Sequence, residues 1–374
     1  MKKEWVWQSE RWPDVPWDVE RVGPPLDRAR SRLEVLVASL TGLGFCARLA
    51  DQVRGTAIEV VRTAEIEGER LDLDSVRSSV ARRLGLEVDS MDVTPAPGQA
   101  EGLVDVLVDA TMNAALPLTR ERILGWHASL FPTGWSGMRR ITPGSFRPAD
   151  MTMQVVSGPL GRETVHFVAP PGDSLDSEID FFLRWFETPP GEMDAFVVAA
   201  LAHFRFVTIH PFEDGNGRLA RAIADMALAR GSGYPGRHFS MSAAIMKDRR
   251  RYYDELRRAS AYDADLTAWI VWFLGCLTSA VDEAGEQVAV ALQKARFWQD
   301  HGGKTINVRQ AKILNRLLDA GSGGFKGGMT TRKAAHLTGA GTATAFRDLV
   351  DLVDKGMLIQ NPGGGRSTSY RLNI

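Results

Sequence analysis

The segment His210–Arg221 reads His-Pro-Phe-Glu-Asp-Gly-Asn-Gly-Arg-Leu-Ala-Arg, and it constrains the fold more tightly than any other stretch of the chain. Upstream, Phe196, Ala200, Leu201, Phe204 and Val207 recur at helical spacing in a run that begins near Glu192. Pro211 disfavours the α region for His210, so this helix ends there. A second helix begins near Gly217 and runs to Gly231. The turn Pro211–Asn216 therefore leads into a helix N-terminus, with its unpaired N–H groups and positive dipole end. Gly215 and Gly217 let a ligand approach the backbone closely. Arg218 and Arg221 stand three apart and share a helix face. Two guanidiniums beside a helix N-terminus suit a polyphosphate. Asp214 supplies one hard carboxylate for Mg²⁺ shared with phosphates, and His210 can act as a general base near neutral pH. Taken singly, a histidine before proline, a Gly-Asn-Gly turn and an arginine pair are ordinary structural features. Their joint occurrence in one turn-to-helix segment points to nucleotide-dependent group transfer.

The rest of the composition bounds the setting. The 374 residues, 44% hydrophobic and 24% charged, fit a soluble globular chain of two or three domains. The apolar run Ala268–Leu277 is about half of the roughly 20 residues a membrane span needs. Lys2 and Lys3 are followed by Glu4 and no apolar region, so neither a signal peptide nor a membrane partner is expected. Cys46 and Cys276 lie in apolar sequence and read as buried free thiols in a reducing cytoplasm, with no zinc-ligand spacing. The net charge of −1 conceals an acidic body: residues 301–374 carry +7 and the first 300 carry −8.

Mainly α structure is expected. Residues 1–45 form a Trp-rich accessory domain with Trp5, Trp7, Trp12 and Trp17, a chain break at Arg21–Pro25, and a helix from Leu26. Helical periodicity then covers 46–67, 74–85, 101–115, 119–131, 174–187, 192–209, 218–230, 242–259 and 265–295. Thr152–Ser157 and Glu163–Val168 flank a Gly-Pro turn and read as a β-hairpin. After a polar linker at Asp300–Gly303, helices are expected at 308–319, 331–337 and 342–355, with strands at Leu358–Gln360 and Ser369–Leu372. Three helices and a Gly-tipped hairpin in a basic segment outline a winged helix, an α+β domain over 301–374. Thr342, Thr344 and Arg347 open its third helix, and Arg366 adds charge, so these four are candidate DNA contacts. Phe346, Leu349, Val350 and Leu352 read as its core. DNA binding stands level with protein docking or self-association.

His210–Arg221 resembles the Fic signature, H-x-F-x-[D/E]-G-N-G-R-x-x-R, with every fixed position filled. Fic proteins are helical enzymes, most of which transfer AMP from ATP to a hydroxyl side chain of a target protein. The resemblance implies a Fic catalytic domain over 46–300 that uses ATP and Mg²⁺. It casts His210 as the base that deprotonates a target Ser, Thr or Tyr. Asp214 would hold the metal, while the Gly215–Gly217 backbone and Asn216 form an anion hole. Arg218 and Arg221 would contact the phosphates, and Phe212 would anchor the loop. The hairpin 152–168 corresponds to the family's target-docking flap, through Thr152, Met153, Gln154, Val155 and Val156. Tyr252 and Tyr253 fall where relatives place aromatic residues near the adenosine, and Ser260 where some relatives place Asn. Thr63-Ala-Glu-Ile-Glu67-Gly68 is similar to the autoinhibitory pattern [S/T]-x-x-x-E-[G/N], in a helix of about 56–68. Glu67 would then pair with Arg221 in place of the γ-phosphate, and breaking a buried pair of this kind costs about 3–5 kcal/mol. His127, His166 and His203 are assigned to packing, with His203 bracing His210. Removal of AMP, another nucleotide donor, or a nucleotide-sensing regulator acting through the tail remain alternative readings. A homodimer, common among relatives, is left open.

Overall fold

The computed structural model describes residues 4–86, 98–157, 162, 164–233, 237–321, 324–363, 365 and 368–374. Arg366, the hairpin turn 158–161 and Glu163 lie outside the described residues. The fold is mainly helical with small antiparallel sheets, as expected. It divides into two compact units, one of residues 1–37 and 49–282, the other of 38–48 and 283–374.

The elements of the first part of the chain are α1 (Val19–Thr41), α2 (Phe45–Ile66), α3 (Leu73–Arg83), α4 (Gly98–Met112) and α5 (Arg120–Leu130). The hairpin β1 (Trp135–Ser136) and β2 (Arg139–Arg140) comes next, followed by the hairpin β3 (Gln154–Ser157) and β4 (Thr164–Val168). Then come α6 (Leu175–Glu187), α7 (Ala195–Ile209), α8 (Asn216–Ser232), α9 (Met241–Lys247), α10 (Arg249–Ala259) and α11 (Thr267–Asp300). The centre of the larger unit is α7, which is apolar on nearly every side and buried almost throughout. The Asp194 carboxylate caps its start by accepting from the Phe196 N–H at 2.8 Å. Buried Trp269 on α11 ties to its middle, donating from Nε1 to the Ala200 carbonyl at 2.8 Å.

Two expectations about helices fail. Helix α1 runs straight through Pro24 and Pro25. The fixed φ of proline is helical, the Glu20 and Arg21 carbonyls that lose their donors belong to exposed residues, and Asp18 caps the first turn through the N–H groups of Glu20 and Arg21. The run 242–259 is two helices, broken at Asp248, whose φ of −140° and ψ of 53° leave the helical region. The Asp248 side chain then accepts from the Arg251 N–H at 3.3 Å and starts α10. The thiols also divide: Cys276 is buried, whereas Cys46 is exposed, because it sits on an outer turn at the start of α2.

The early tryptophans dock on the β3–β4 hairpin and α6. Trp5 meets Phe167 edge-on with centroids 5.4 Å apart. The Trp7 Nε1 donates to the Val168 carbonyl at 2.7 Å, and the Trp12 Nε1 donates to Glu178 Oε2 at 2.9 Å. Trp5, Trp7 and Met151 thereby complete a small core around Met153, Phe167 and Ala169. Val6 N–H also donates to the Ser260 carbonyl at 2.9 Å.

The smaller unit contains α12 (Val308–Leu318), β5 (Met329–Thr330), α13 (Thr331–Thr338), α14 (Thr342–Asp354), β6 (Leu358–Gln360) and β7 (Ser369–Leu372). Its three strands are antiparallel in the order β5–β7–β6, and β5 had no sequence signal. Ile313, Leu314, Ala345, Leu349, Leu352 and Tyr370 belong to its core. Phe346 and Val350 do not: they are 50% and 36% exposed. Ala345, Leu349 and Leu352 occupy the inner face of α14, so residues 346 and 350, four apart, share the outer one. Thr342 and Arg347 are exposed, and Arg347 reaches Thr344 Oγ1 at 3.4 Å. Among the described residues no helix is long and apolar enough to cross a membrane.

The Trp7 bond is a separable contribution to the docking of the N-terminal segment. Trp7→Phe keeps an aromatic ring but removes the donor and part of the packed indole, so denaturant unfolding should show a loss of at least about 1 kcal/mol.

Candidate active site

The site is built where α7 gives way to α8. Helix α7 stops at His210, which adopts φ 51° and ψ 58°, the one positive φ among the described non-glycine residues. That conformation is uncommon for a residue with a Cβ and is sustained only by its surroundings. His210 Nδ1 lies 3.1 Å from the Val207 carbonyl, which can only accept. The proton therefore sits on Nδ1, and Nε2 keeps its lone pair. Burial lowers the His210 pKa, as does nearby Arg147; Asp214, Glu67 and the Val207 bond work the other way.

Below the turn, Phe212 is fully buried and stacks on His127 with centroids 4.0 Å apart. His127 Nδ1 accepts from the Gly144 N–H at 3.0 Å, and burial above all pushes its pKa down to about 4. The Asn216 side chain closes the loop on itself, accepting from the Phe212 N–H at 2.9 Å and donating to the Phe212 carbonyl at 2.8 Å. Its amide is thus committed to holding the turn. Gly215 has φ 81°, and a Cβ there would come within 2.9 Å of the Phe131 ring. The sequence requirement for glycine is therefore both conformational and steric.

Arg218 and Arg221 of α8 are both buried and both meet carboxylates. Arg221 Nη2 donates to Glu67 Oε1 at 2.6 Å and to the Thr63 carbonyl at 3.2 Å, and its Nε donates to Thr63 Oγ1 at 2.6 Å. Arg218 Nη1 donates to Glu69 Oε1 at 3.0 Å, and its guanidinium lies 4.8 Å from the centre of the Phe131 ring. Burial works against the Arg221 charge, but Glu67 beside it more than offsets this and the pKa is raised. Arg218 Nε and Arg221 Nη1 are buried without a hydrogen-bond partner among the described residues. The Glu67 side chain is 33% exposed, so the pair is only half-buried and breaks at a lower cost than a fully buried one. A Cβ on Gly217 would lie 2.6 Å from Glu67 Oε1, so only glycine admits that carboxylate onto the first turn of α8.

A cavity of about 590 Å³ joins several of the expected residues. Glu67, His210, Gly217, Tyr253, Val155 and Val156 line it, along with Tyr252 and Ser260. Tyr252 is buried, with its hydroxyl 3.2 Å from His203 Nε2, whereas Tyr253 is exposed and carries Arg249 over its ring at 5.5 Å. His203 therefore pairs with Tyr252, and burial pushes its pKa down to about 3. The hairpin register pairs Val155 with Phe167 and Val156 with Val165, with an irregularity between the two valines. Of the expected flap residues, Thr152 and Met153 precede β3, and Met153 is in the small core.

Asp214 is half-exposed beside Arg218, and its carboxylate also bonds Ser136 Oγ from β1. Among the described residues no group of three or more potential ligands could hold a metal ion. One accessible carboxylate fits the mode in which Mg²⁺ takes most of its ligands from substrate phosphates and water. Sequence reasoning passed over Ser136, Glu69 and Arg147. Glu69 lies beyond the helix end, and the other two lie in non-periodic stretches.

A left-handed histidine turn thus stands in the same loop-to-helix segment as a buried arginine pair. Residues 117–228 match the Fic/DOC family. Residues 5–86, from Trp5 past Glu67, match a domain of unknown function, DUF4172. A protein named protein adenylyltransferase Fic from Drosophila ananassae is 28% identical over 227 residues, 60% of this chain and 40% of that one. Its namesake from Drosophila melanogaster is 25% identical over 281 residues, 71% and 51% of the two chains. The chain thus spans about half the length of the curated relatives it matches, or less. The solved structure of Fic-1 (aa134–508) from C. elegans shares the fold, with a TM-score of 0.50 at 19% identity, covering 73% of this chain and 74% of that one.

The buried imidazole of His127 links acid to stability. Its pKa is lower folded than unfolded, so its contribution is complete above about pH 6.5 and is lost as pH falls through about 4. Relative to wild type, His127→Gln should lose on the order of 3 kcal/mol less between pH 7 and pH 4, read by denaturant unfolding.

Proposed function

We propose that the protein is a self-inhibited AMP-transferase that moves AMP from ATP to a Ser, Thr or Tyr hydroxyl of a target protein. The observation that carries this reading is the contact of His210 Nδ1 with the Val207 carbonyl, which leaves Nε2 unprotonated on a residue that lines the cavity with Glu67 and Gly217. His210 Nε2 takes the hydroxyl proton as the oxygen attacks the α-phosphorus of ATP. The bond to the bridging oxygen breaks, and pyrophosphate leaves. Arg218 and Arg221 neutralise the phosphate charge, and the α8 N-terminus with Gly215 and Gly217 supplies backbone donors. Asp214 would hold Mg²⁺, whose charge screens the phosphates. The free edge of β3 would receive an extended target segment by main-chain bonds, and Tyr253 would face the adenosine.

Glu67 is the inhibitory group in this reading. Its carboxylate on Arg221 occupies the ground a γ-phosphate would need, and Thr63 and Gly68 shape the helix end that presents it. We read residues 301–374 as a winged helix that binds a partner. The exposed apolar pair Phe346 and Val350, flanking Arg347, favours a protein surface over a DNA backbone.

Incubation with α-labelled ATP and cell lysate tests the reading. Glu67→Gly should raise label transfer to protein at least about tenfold over wild type, and adding His210→Ala should abolish it. Transfer that persists without His210, or equal transfer by wild type and Glu67→Gly, contradicts it.

A further inference from the structure

The turn that carries His210 is held by a residue far from the signature in sequence. Arg147 lies between β2 and β3 and is 3% exposed. Its Nε donates to the His210 carbonyl at 2.9 Å, its Nη1 to the Met151 carbonyl at 3.1 Å, and its Nη2 to the Pro170 carbonyl at 2.6 Å. Its own N–H donates to the Pro211 carbonyl at 2.9 Å. Met151 precedes β3 and Pro170 follows β4, so one guanidinium grips both feet of the hairpin and the peptide of the candidate base.

A packing role alone does not account for this residue. All three side-chain bonds go to neutral main-chain acceptors, and burial lowers the Arg147 pKa, so keeping a cation here is unfavourable in itself. An apolar side chain would fill the space without that cost. What it could not do is bind three carbonyls from three separate segments, which needs the planar fork of donors that only arginine has. The segment it binds most directly is also the strained one: His210 is left-handed and precedes proline. The tryptophan-lined core holds the hairpin from Met153 and Phe167, so Arg147 completes its attachment from the catalytic side.

We propose that Arg147 is the positioning residue of the site, locking His210 in its left-handed turn and coupling that turn to the β3–β4 hairpin so that base and docking strand keep one geometry. The kinetic consequence rests on the AMP-transfer reading; the structural coupling does not.

The test uses the full chain in a Glu67→Gly background, comparing Arg147, Arg147→Lys and Arg147→Met. Self-labelling from α-labelled ATP gives a maximal rate and a half-saturating ATP concentration. Arg147→Met should lower the maximal rate about 100-fold, with half-saturation shifted less than about twofold. Arg147→Lys, which keeps the charge but not the fork, should recover only part of the rate. Two further readouts need no activity. The ¹⁵N imidazole spectrum of His210 should change from the Nδ1–H tautomer to a mixture in Arg147→Met. Amide exchange in 151–157 and 164–170 should speed up at least about tenfold while α7 is unchanged. An unchanged tautomer with unchanged hairpin exchange overturns the proposal, and so does exchange that accelerates equally in α7. If the Arg147-intact protein labels neither itself nor lysate protein, the transfer reading fails there, and the tautomer and exchange still decide the role of Arg147.

Discussion

The buried guanidinium of Arg221 demands an anion, and much of the site is arranged around supplying one. Leaving such a cation unpaired in the interior is strongly unfavourable. In this structure the anion is Glu67, delivered by the end of α2 together with the Thr63 hydroxyl. The delivery depends on Gly68, whose φ of 86° ends the helix and turns the chain, so that the Glu69 N–H returns to the Ala64 carbonyl at 3.0 Å. That reversal also brings the Glu69 carboxylate onto Arg218. Two arginines three residues apart are thus met by two carboxylates two residues apart. On the proposed reading, the helix end resembles in charge and spacing the polyphosphate it keeps out.

The same helix is anchored deeper down. Glu59 is wholly buried on α2 and accepts from Ser240 Oγ at 2.7 Å, Ser242 Oγ at 2.5 Å, and Arg237 Nη1 at 3.3 Å. Arg237 also pairs with Asp225, one turn beyond Arg221 on α8. Burial above all, opposed by Arg237 and reinforced by Glu59, pushes the Asp225 carboxyl up to about 7. The ion network fixes α2 against α8, while the outer pair with Glu67 stays partly open to solvent. A rigid anchor and a breakable tip suit a helix that must release one contact without unfolding.

What could be read from the residues follows from how local each signal is. The break at His210, the start of α8, the hairpin strands and the helices of 301–374 are set by proline, glycine and periodicity within a few positions. The Glu67–Arg221 contact, 154 residues apart in sequence, was legible only because a resemblance supplied the pairing. Pro24 and Pro25 misled because a breaker acts through lost hydrogen bonds, and here the affected carbonyls belong to exposed residues. Phe346 and Val350 misled because hydrophobicity alone does not say which face of α14 is inward. Arg147 and Ser136 left no trace, since their partners are main-chain carbonyls or a distant carboxylate reached from irregular loops. Glu69 gains its role from the turn at Gly68, a conformational fact with no periodicity behind it.

The central claim is that the Glu67 carboxylate stands in for the terminal phosphate of ATP. Equilibrium titration of the wild-type protein and Glu67→Gly with Mg·ATP and, separately, with AMP tests it without reference to any target. The account predicts that the substitution tightens ATP binding at least about tenfold while AMP affinity changes less than about twofold. Equal changes for the two nucleotides, or none for ATP, would contradict it.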